Sequence, residues 1–499
     1  MTNNNWVISA NLTKFVVNMA NPLKQLAGET AIYGFSSILA RILNFLFVPI
    51  YTRTLSQMQY GVVTEFMSYI AILQVLLVLG LETGCFRFAN KEGEDPRKVY
   101  SGALLAVTGL NLAFLALMVV FSGPISAALG YEGYRRLIMY VALILFCDSV
   151  TAILFAKLRQ EHKAMKFALL KTVKILTETG ANLVLFFVWP AQPDFTYPVF
   201  AILVSCVLCL VLFIPVLLRL KPTWDSAVVK RLLVYSLPLM VAALPGVAND
   251  FLDRLLFRFF DTSSEQWRST LGVYQAAVKL AVIMNLFIQM FRYAAEPFFF
   301  QRAKDKNSKE LYAVVMEYFT AFCGLVLLGV VGYIDVISLF LGRDFRVGVD
   351  VVPIMLLSYM ILGMLFNVSM WYKLSGRTNM AIWITLAGLL VTAVVNVVFM
   401  PRYSYWASAF GHLASYLVMF ILSAVLGAKY YPIPYKWGRL AAIFGLMGAV
   451  YIGLYYTLGS IEGLWVRLAV NTVLIGLYGA AAWAFLRRRP VMQESQNTK

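Results

Sequence analysis

Five ionisable side chains sit in one apolar segment, VANDFLDRLLFRFFD (Val247 to Asp261): Asp250, Asp253, Arg254, Arg258 and Asp261. An ionisable group at the centre of a membrane helix costs roughly 2.5–3.5 kcal/mol on insertion scales, so the cluster needs a purpose. At helical pitch Asp250, Asp253, Arg254 and Asp261 share an arc of about 100°, which Arg258 widens to about 140°. Asp250 and Arg254, four residues apart, are spaced to neutralise each other in part. Such a face either ties helices together through ion pairs or walls a wet cavity.

Three further stripes favour the cavity. Tyr33, Ser37, Arg41, Asn44 and Thr52 fall within about 100° of one another. In ALLKTVKILTETGANLVLFF, Lys171, Lys174, Glu178 and Asn182 share about 80°. Asn285, Gln289, Arg292 and Glu296 share about 60°, with Lys279 and Gln275 further round. Lys171 and Lys174 closely follow a loop, so snorkelling to headgroups is a competing reading for them. A polar, mixed-charge central cavity with a cationic lining is therefore expected. Arg and Lys there suit an anion, above all phosphate or pyrophosphate, which Arg contacts through two parallel hydrogen bonds. Asp250, Asp253, Glu178 and Glu296 are candidates to support the cations or to couple to an ion. Glu82, Arg87 and Asp148 are further candidate partners. Thr385, Thr392 and Asn396, and again Ser408, His412 and Ser415, read as packing contacts between helices.

The elements that must carry these stripes follow from composition. Of 499 residues, 61% are hydrophobic and only 13% charged, about half the charged share of a soluble domain. About fourteen runs are long enough, at roughly 20 apolar residues each, to cross a bilayer. Continuous runs such as ILVSCVLCLVLFIPVLL exclude the short alternating strands of a membrane β-barrel. The expectation is an all-α polytopic membrane protein. Its parts are an interfacial segment (1–30), spans one to six (31–218), a linker (219–231), spans seven to twelve (232–428), two further spans (429–486) and a tail (487–499).

The net charge of +17 reports topology rather than nucleic acid. Three loops, AKLRQEHKAMK, RLKPTWDSAVVKR and QRAKDKNSKE, hold twelve Lys and Arg, and the positive-inside rule then puts both termini in the cytoplasm. All five cysteines fall in predicted spans, and Cys206 and Cys209, a CxxC without a βαβ context, carry no redox expectation. Short loops leave no room for an enzymatic domain. No GxxxxGK or HExxH occurs, so neither a nucleotide site nor a metalloprotease site is expected. The halves open alike, with YGFSSILARILNFLF and YSLPLMVAALPGVANDF, as tandem repeats in transporters do; chance likeness of apolar stretches is the alternative.

The run AGETAIYGFSSILARILNFLFVPIYTRTLSQMQYG resembles the opening of the polysaccharide-transport flippases of the multidrug/oligosaccharidyl-lipid/polysaccharide exporter superfamily. ANDFLDRLLFRFF followed by LGVYQAAVKLAVIMNLFIQMFRYAAEPFF resembles their second half. The resemblance implies two six-span lobes plus two peripheral spans working by alternating access. It implies an undecaprenyl-pyrophosphate-linked oligosaccharide as cargo, for O-antigen, capsule or exopolysaccharide, in a bacterial inner membrane. The family's cavity cations map onto Arg41, Lys171, Lys174, Arg254, Lys279 and Arg292, with Asn44, Asn285 and Gln289 toward the sugars. No cofactor or metal is implied beyond coupling to a Na+ or H+ gradient. The expected partners are the lipid-linked oligosaccharide, membrane lipids and polysaccharide polymerase machinery. A peptidoglycan-precursor flippase and a cation-coupled multidrug exporter are the alternatives; the exporter's twelve spans and carboxylate-led site fit less well.

Overall fold

The computed structural model describes residues 38–39, 41–189, 192–220, 222–262, 266–303, 305 and 307–487, and no strand occurs among them. The expected interfacial segment (1–30) and the tail beyond Arg487 lie outside the described residues. Twelve helices among the described residues are long and apolar enough to cross a membrane, so the chain is an all-α, multi-pass membrane protein. The expected first span lies partly outside the described residues, which are helical over 41–46 and again over Val48–Thr54 (α1). The expected fifth span is a helix, Ala164–Leu183, continued by a wider turn over Val184–Val188. Its Lys166, Lys171, Lys174 and Glu178 spread four charges along 20 residues, whereas each of those twelve has an 18-residue stretch with two or fewer.

Two compact units emerge. The first takes the described residues up to Leu46 and Phe66–Val247; the second takes Phe47–Glu65 and the described residues from Ala248 onward. Of the three boundaries, one follows Leu46, one cuts the helix Gln57–Val78 (α2) and one the helix Ser226–Phe260. The second cut follows Pro245–Gly246, where proline's missing N–H leaves the carbonyl of Val241 without its helical bond.

In the first unit, α3 (Leu81–Ala89), α4 (Pro96–Val120), α5 (Ser122–Ala128), α6 (Arg135–Gln160), α7 (Ala164–Leu183), α8 (Thr196–Leu220) and the start of α9 (Ser226–Phe260) pack together. Helix α6 is the axis, touching α3, α4 and α8. Tyr100, Phe155, Phe213 and Leu232 are buried in its core. Gly80, at φ +66°, and Gly84 bring their helix against Ser236 with no room for a Cβ.

The second unit holds α10 (Trp267–Arg302), α11 (Ser308–Gly332), α12 (Ile334–Ile337), a 3-10 stretch Arg343–Val351, α13 (Val352–Val368), α14 (Met370–Leu374), α15 (Met380–Tyr403), α16 (Tyr405–Tyr430), α17 (Trp437–Ser460) and α18 (Leu464–Arg487). Phe257, Tyr274, Met316, Met355, Trp371 and Tyr478 anchor its core. The last two helices seat on α11: Tyr478 donates to the Ala321 carbonyl at 3.1 Å and Asn471 to that of Gly332 at 2.7 Å, while Arg439 pairs with Glu317 at 2.9 Å. Phe47–Glu65 is clasped to the same unit. Thr52 Oγ1 accepts from Gly342 N at 2.9 Å, Arg53 donates to the Leu339 carbonyl at 3.0 Å, and Gln57 to that of Asp344 at 2.6 Å. Gly61 abuts the Arg268 carbonyl and Gly272 that of Gln57, so neither tolerates a Cβ in place.

Candidate functional site

The charged stripe of α9 lies in the second unit, where α10, α15 and α16 supply polar partners. Asn249 is buried and its Oδ1 accepts from Thr392 at 2.7 Å and Ser415 at 2.8 Å. Asn396 extends that network, accepting from Ser408 at 2.8 Å. These are the packing contacts the Ser and Thr stripes of α15 and α16 predict. Buried amides and hydroxyls in such a place must find partners, and here they bind three helices to one another.

Asp250 accepts a hydrogen bond from the Tyr416 hydroxyl at 2.8 Å. Asp253, fully buried, accepts from Tyr274 at 3.1 Å and faces His412 Nε2 at 3.1 Å. Both carboxylates are thus engaged by α10 and α16, and the Asp250–Arg254 pair that the i,i+4 spacing predicts is not formed. The guanidinium of Arg254 instead stacks on Phe251, 4.7 Å from the ring centre, and its buried Nε has no hydrogen-bond partner. A cation over an aromatic face keeps its donors available, which a bidentate carboxylate contact would consume. Lys279, half-buried on α10, pairs with no carboxylate among the described residues.

Further along α10, Gln289 donates to Asn285 at 3.4 Å. Arg292 lies 3.7 Å from Glu296 and 4.8 Å from the ring centre of Phe366. Glu296 also holds Lys373 at 2.5 Å. The expected stripe therefore stays together, with its cation already partly neutralised. Glu65, 1% exposed, lies 4.0 Å from Arg258 and 3.9 Å from Arg268. Sequence reasoning passed over it, although a lone carboxylate within an apolar helix was the available signal. It also missed Tyr274 and Tyr416, because tyrosine abundance reads as interfacial.

In the first unit, Lys174 pairs with Asp148 at 2.5 Å, rather than with Glu178 on its own stripe. Lys171 sits over the Phe155 ring at 4.3 Å. Glu178 is half-buried and its carbonyl accepts from Asn182 at 2.9 Å. Arg41 and Asn44 are exposed. Glu82 pairs with Arg159 at 2.9 Å, and Arg87 covers the Tyr235 ring at 4.3 Å. All five cysteines are buried and unbridged. Among the described residues, no group of three or more His, Cys, Asp or Glu is placed to hold a metal ion. Arg254 and Lys279, beside the hydrogen-bonded Asp250 and Asp253, are the cations of this unit's stripes that could meet an anion.

Comparison with known proteins agrees on the class. The family described as polysaccharide biosynthesis protein matches residues 26–303, more than half of the chain. A structure of the lipid II flippase MurJ, in an inward closed conformation, is similar over 92% of this chain and 99% of its own, with TM-score 0.70 and 14% identity. An inward-facing multidrug resistance MATE family transporter of the MOP superfamily is similar over 78% of this chain and 95% of its own, with TM-score 0.61 and 12% identity. A MATE structure in complex with MaD3S is similar over 84% and 95%, with TM-score 0.55 and 16% identity. No curated protein matches the sequence. At such identities the likeness is one of fold, and the fold is one that transporters use.

Proposed function

Given that the chain belongs to the polysaccharide biosynthesis protein family, we propose that it is a flippase. Its cargo is an undecaprenyl-pyrophosphate-linked oligosaccharide, moved across a bacterial inner membrane for O-antigen, capsule or exopolysaccharide assembly. The observation that carries this reading is Arg254, whose buried Nε has no partner although two aspartates share its face. A guanidinium kept off carboxylates, with Lys279 on α10, the helix whose Tyr274 bonds Asp253, suits pyrophosphate. Arg41, Lys171, Lys174 and Arg292 are secondary contacts, Asn44, Asn285 and Gln289 meet the sugars, and the lipid tail stays in the bilayer. Asp250, Asp253, Glu178 and Glu296 hold the cations or couple transport to Na+ or H+. Alternating exposure of the site to the two membrane faces drives translocation, with both termini cytoplasmic and the polymerase machinery receiving the product.

The likeness to the lipid II flippase supports a second reading, a peptidoglycan-precursor flippase on the same chemistry. Depleting the protein and identifying the lipid-linked sugar that accumulates on the cytoplasmic leaflet separates the two; accumulation of neither overturns both. Arg254→Ala and Lys279→Ala, expressed at normal levels, are expected to cut surface glycan about 10-fold, the loss of one transition-state contact of about 1.4 kcal/mol. Unchanged export by both variants removes the site assignment.

A further inference from the structure

A second cationic site lies in the first unit, away from every stripe considered above. The ends of α4, α6 and α8 and the start of α7 enclose a cavity of about 210 Å3. Arg97, Lys157, Lys163, Lys166 and Arg219 line it, against one carboxylate, Glu161. Glu161 is occupied already: Lys157 pairs with it directly and Lys163 at 2.7 Å. Arg97, Lys166 and Arg219 pair with no carboxylate among the described residues. Neighbouring arginines in the same unit behave otherwise, Arg159 meeting Glu82 at 2.9 Å and Arg231 meeting Glu94 at 3.1 Å. Here five line one concave space: Lys157 is 15% exposed and tied to Glu161, while Arg97, Lys166 and Arg219 are exposed and open to an anion arriving from outside, which would offset the cations' mutual repulsion.

The cavity's position selects the anion. It is bounded by the ends of three helices long enough to span a bilayer, the level at which phospholipid phosphates lie. Basic pockets between membrane helices at that level take anionic headgroups. We propose that this cavity binds the phosphate of an anionic bilayer phospholipid, with Arg97 and Arg219 donating to its oxygens and Lys157, Lys163 and Lys166 surrounding them. Its volume admits a phosphate with part of a glycerol headgroup and leaves the acyl chains outside, in the bilayer. The site is independent of cargo recognition and stands whether or not Arg254 meets a pyrophosphate.

The test uses the full-length protein in detergent micelles, with lipid adducts counted by native mass spectrometry. Phosphatidylglycerol is expected to bind at least 10-fold more tightly than phosphatidylcholine, and Arg97→Gln/Arg219→Gln to lower its affinity at least 5-fold. Lys309→Gln, a lysine of the second unit stacked on Tyr431, is expected to bind as wild type. Equal binding of the two lipids by wild type overturns the proposal. So does undiminished phosphatidylglycerol binding by the double variant. Displacement of the lipid by equimolar inorganic pyrophosphate also overturns it, assigning the cavity to a soluble phosphate instead. Should the double variant fail to fold, Lys163→Gln, at a side chain 56% exposed, and the wild-type ratio of the two lipids carry the same decision.

Discussion

The Tyr416 hydroxyl donates to Asp250 at 2.8 Å, while Arg254, one turn beyond Asp250 on α9, keeps a buried Nε without a partner. A neutral donor satisfies the aspartate while the guanidinium stays on Phe251. The competition between Tyr416 and Arg254 for Asp250 is the balance on which the candidate site rests.

Removing the neutral donor should therefore hand Asp250 to Arg254. In Tyr416→Phe the aspartate loses a bond of about 1–3 kcal/mol and takes the guanidinium as replacement. Surface glycan export is expected to fall about as far as in Arg254→Ala, with the protein folded normally. Export at the wild-type level in a well-expressed Tyr416→Phe strain contradicts this.

The Lys174–Asp148 pair, with side chains 16% and 26% exposed, predicts a stability cycle. Either single substitution to Leu strands the other charge in a mostly dry place, costing about 2–3 kcal/mol. The double Leu variant removes both charges and should recover most of that loss. Melting of the detergent-solubilised protein measures all four corners, and simple additivity would show the pair to be inconsequential.

Gly61→Ala and Gly272→Ala pit two effects against each other. Alanine in a helix is favoured over glycine by about 1 kcal/mol, but each Cβ here meets backbone carbonyl atoms rather than a yielding side chain. Overpacking costs typically about 1–3 kcal/mol, so both variants should be less stable than wild type. Gly93→Ala makes no new contact but sits at φ +81°, where alanine is strained too. The better control is Gly109, helical and with open space around it, where alanine should be neutral or slightly stabilising.

Glu65→Gln should release Arg258 and Arg268 together, since both lie about one ion-pair distance from that single carboxylate. Loss of a buried partner to two cations is expected to cost about 3 kcal/mol or more. Glu65→Asp, which keeps the charge, should retain part of it. Equal melting temperatures for Gln and wild type would show that other groups carry the arginines.

Much of this was legible before any coordinates. Periodicity placed Asp250, Asp253 and Arg254 on one face, and hydropathy identified the membrane class, because both depend only on neighbours a few residues away. Partner choice does not. Asp250 meets a tyrosine 166 residues later, and Lys174 passes over Glu178 on its own helix for Asp148. A helical wheel reports direction and is silent on what another helix brings there. Glu65 was missed for a related reason: as a single carboxylate it makes no stripe, and only the arrival of Arg258 and Arg268 gives it a role.

The placement of Phe47–Glu65 in the second unit has a consequence for biosynthesis. Its hydrogen bond from Gly342 to Thr52 joins residues 290 apart, so the ribosome must deliver α10 and the Arg343–Val351 stretch before that hairpin tip can dock. At roughly 5–20 residues per second the wait is on the order of 15–60 s. A nascent chain arrested before residue 342 should leave Thr52 and Gln57 open to labelling that the finished protein resists.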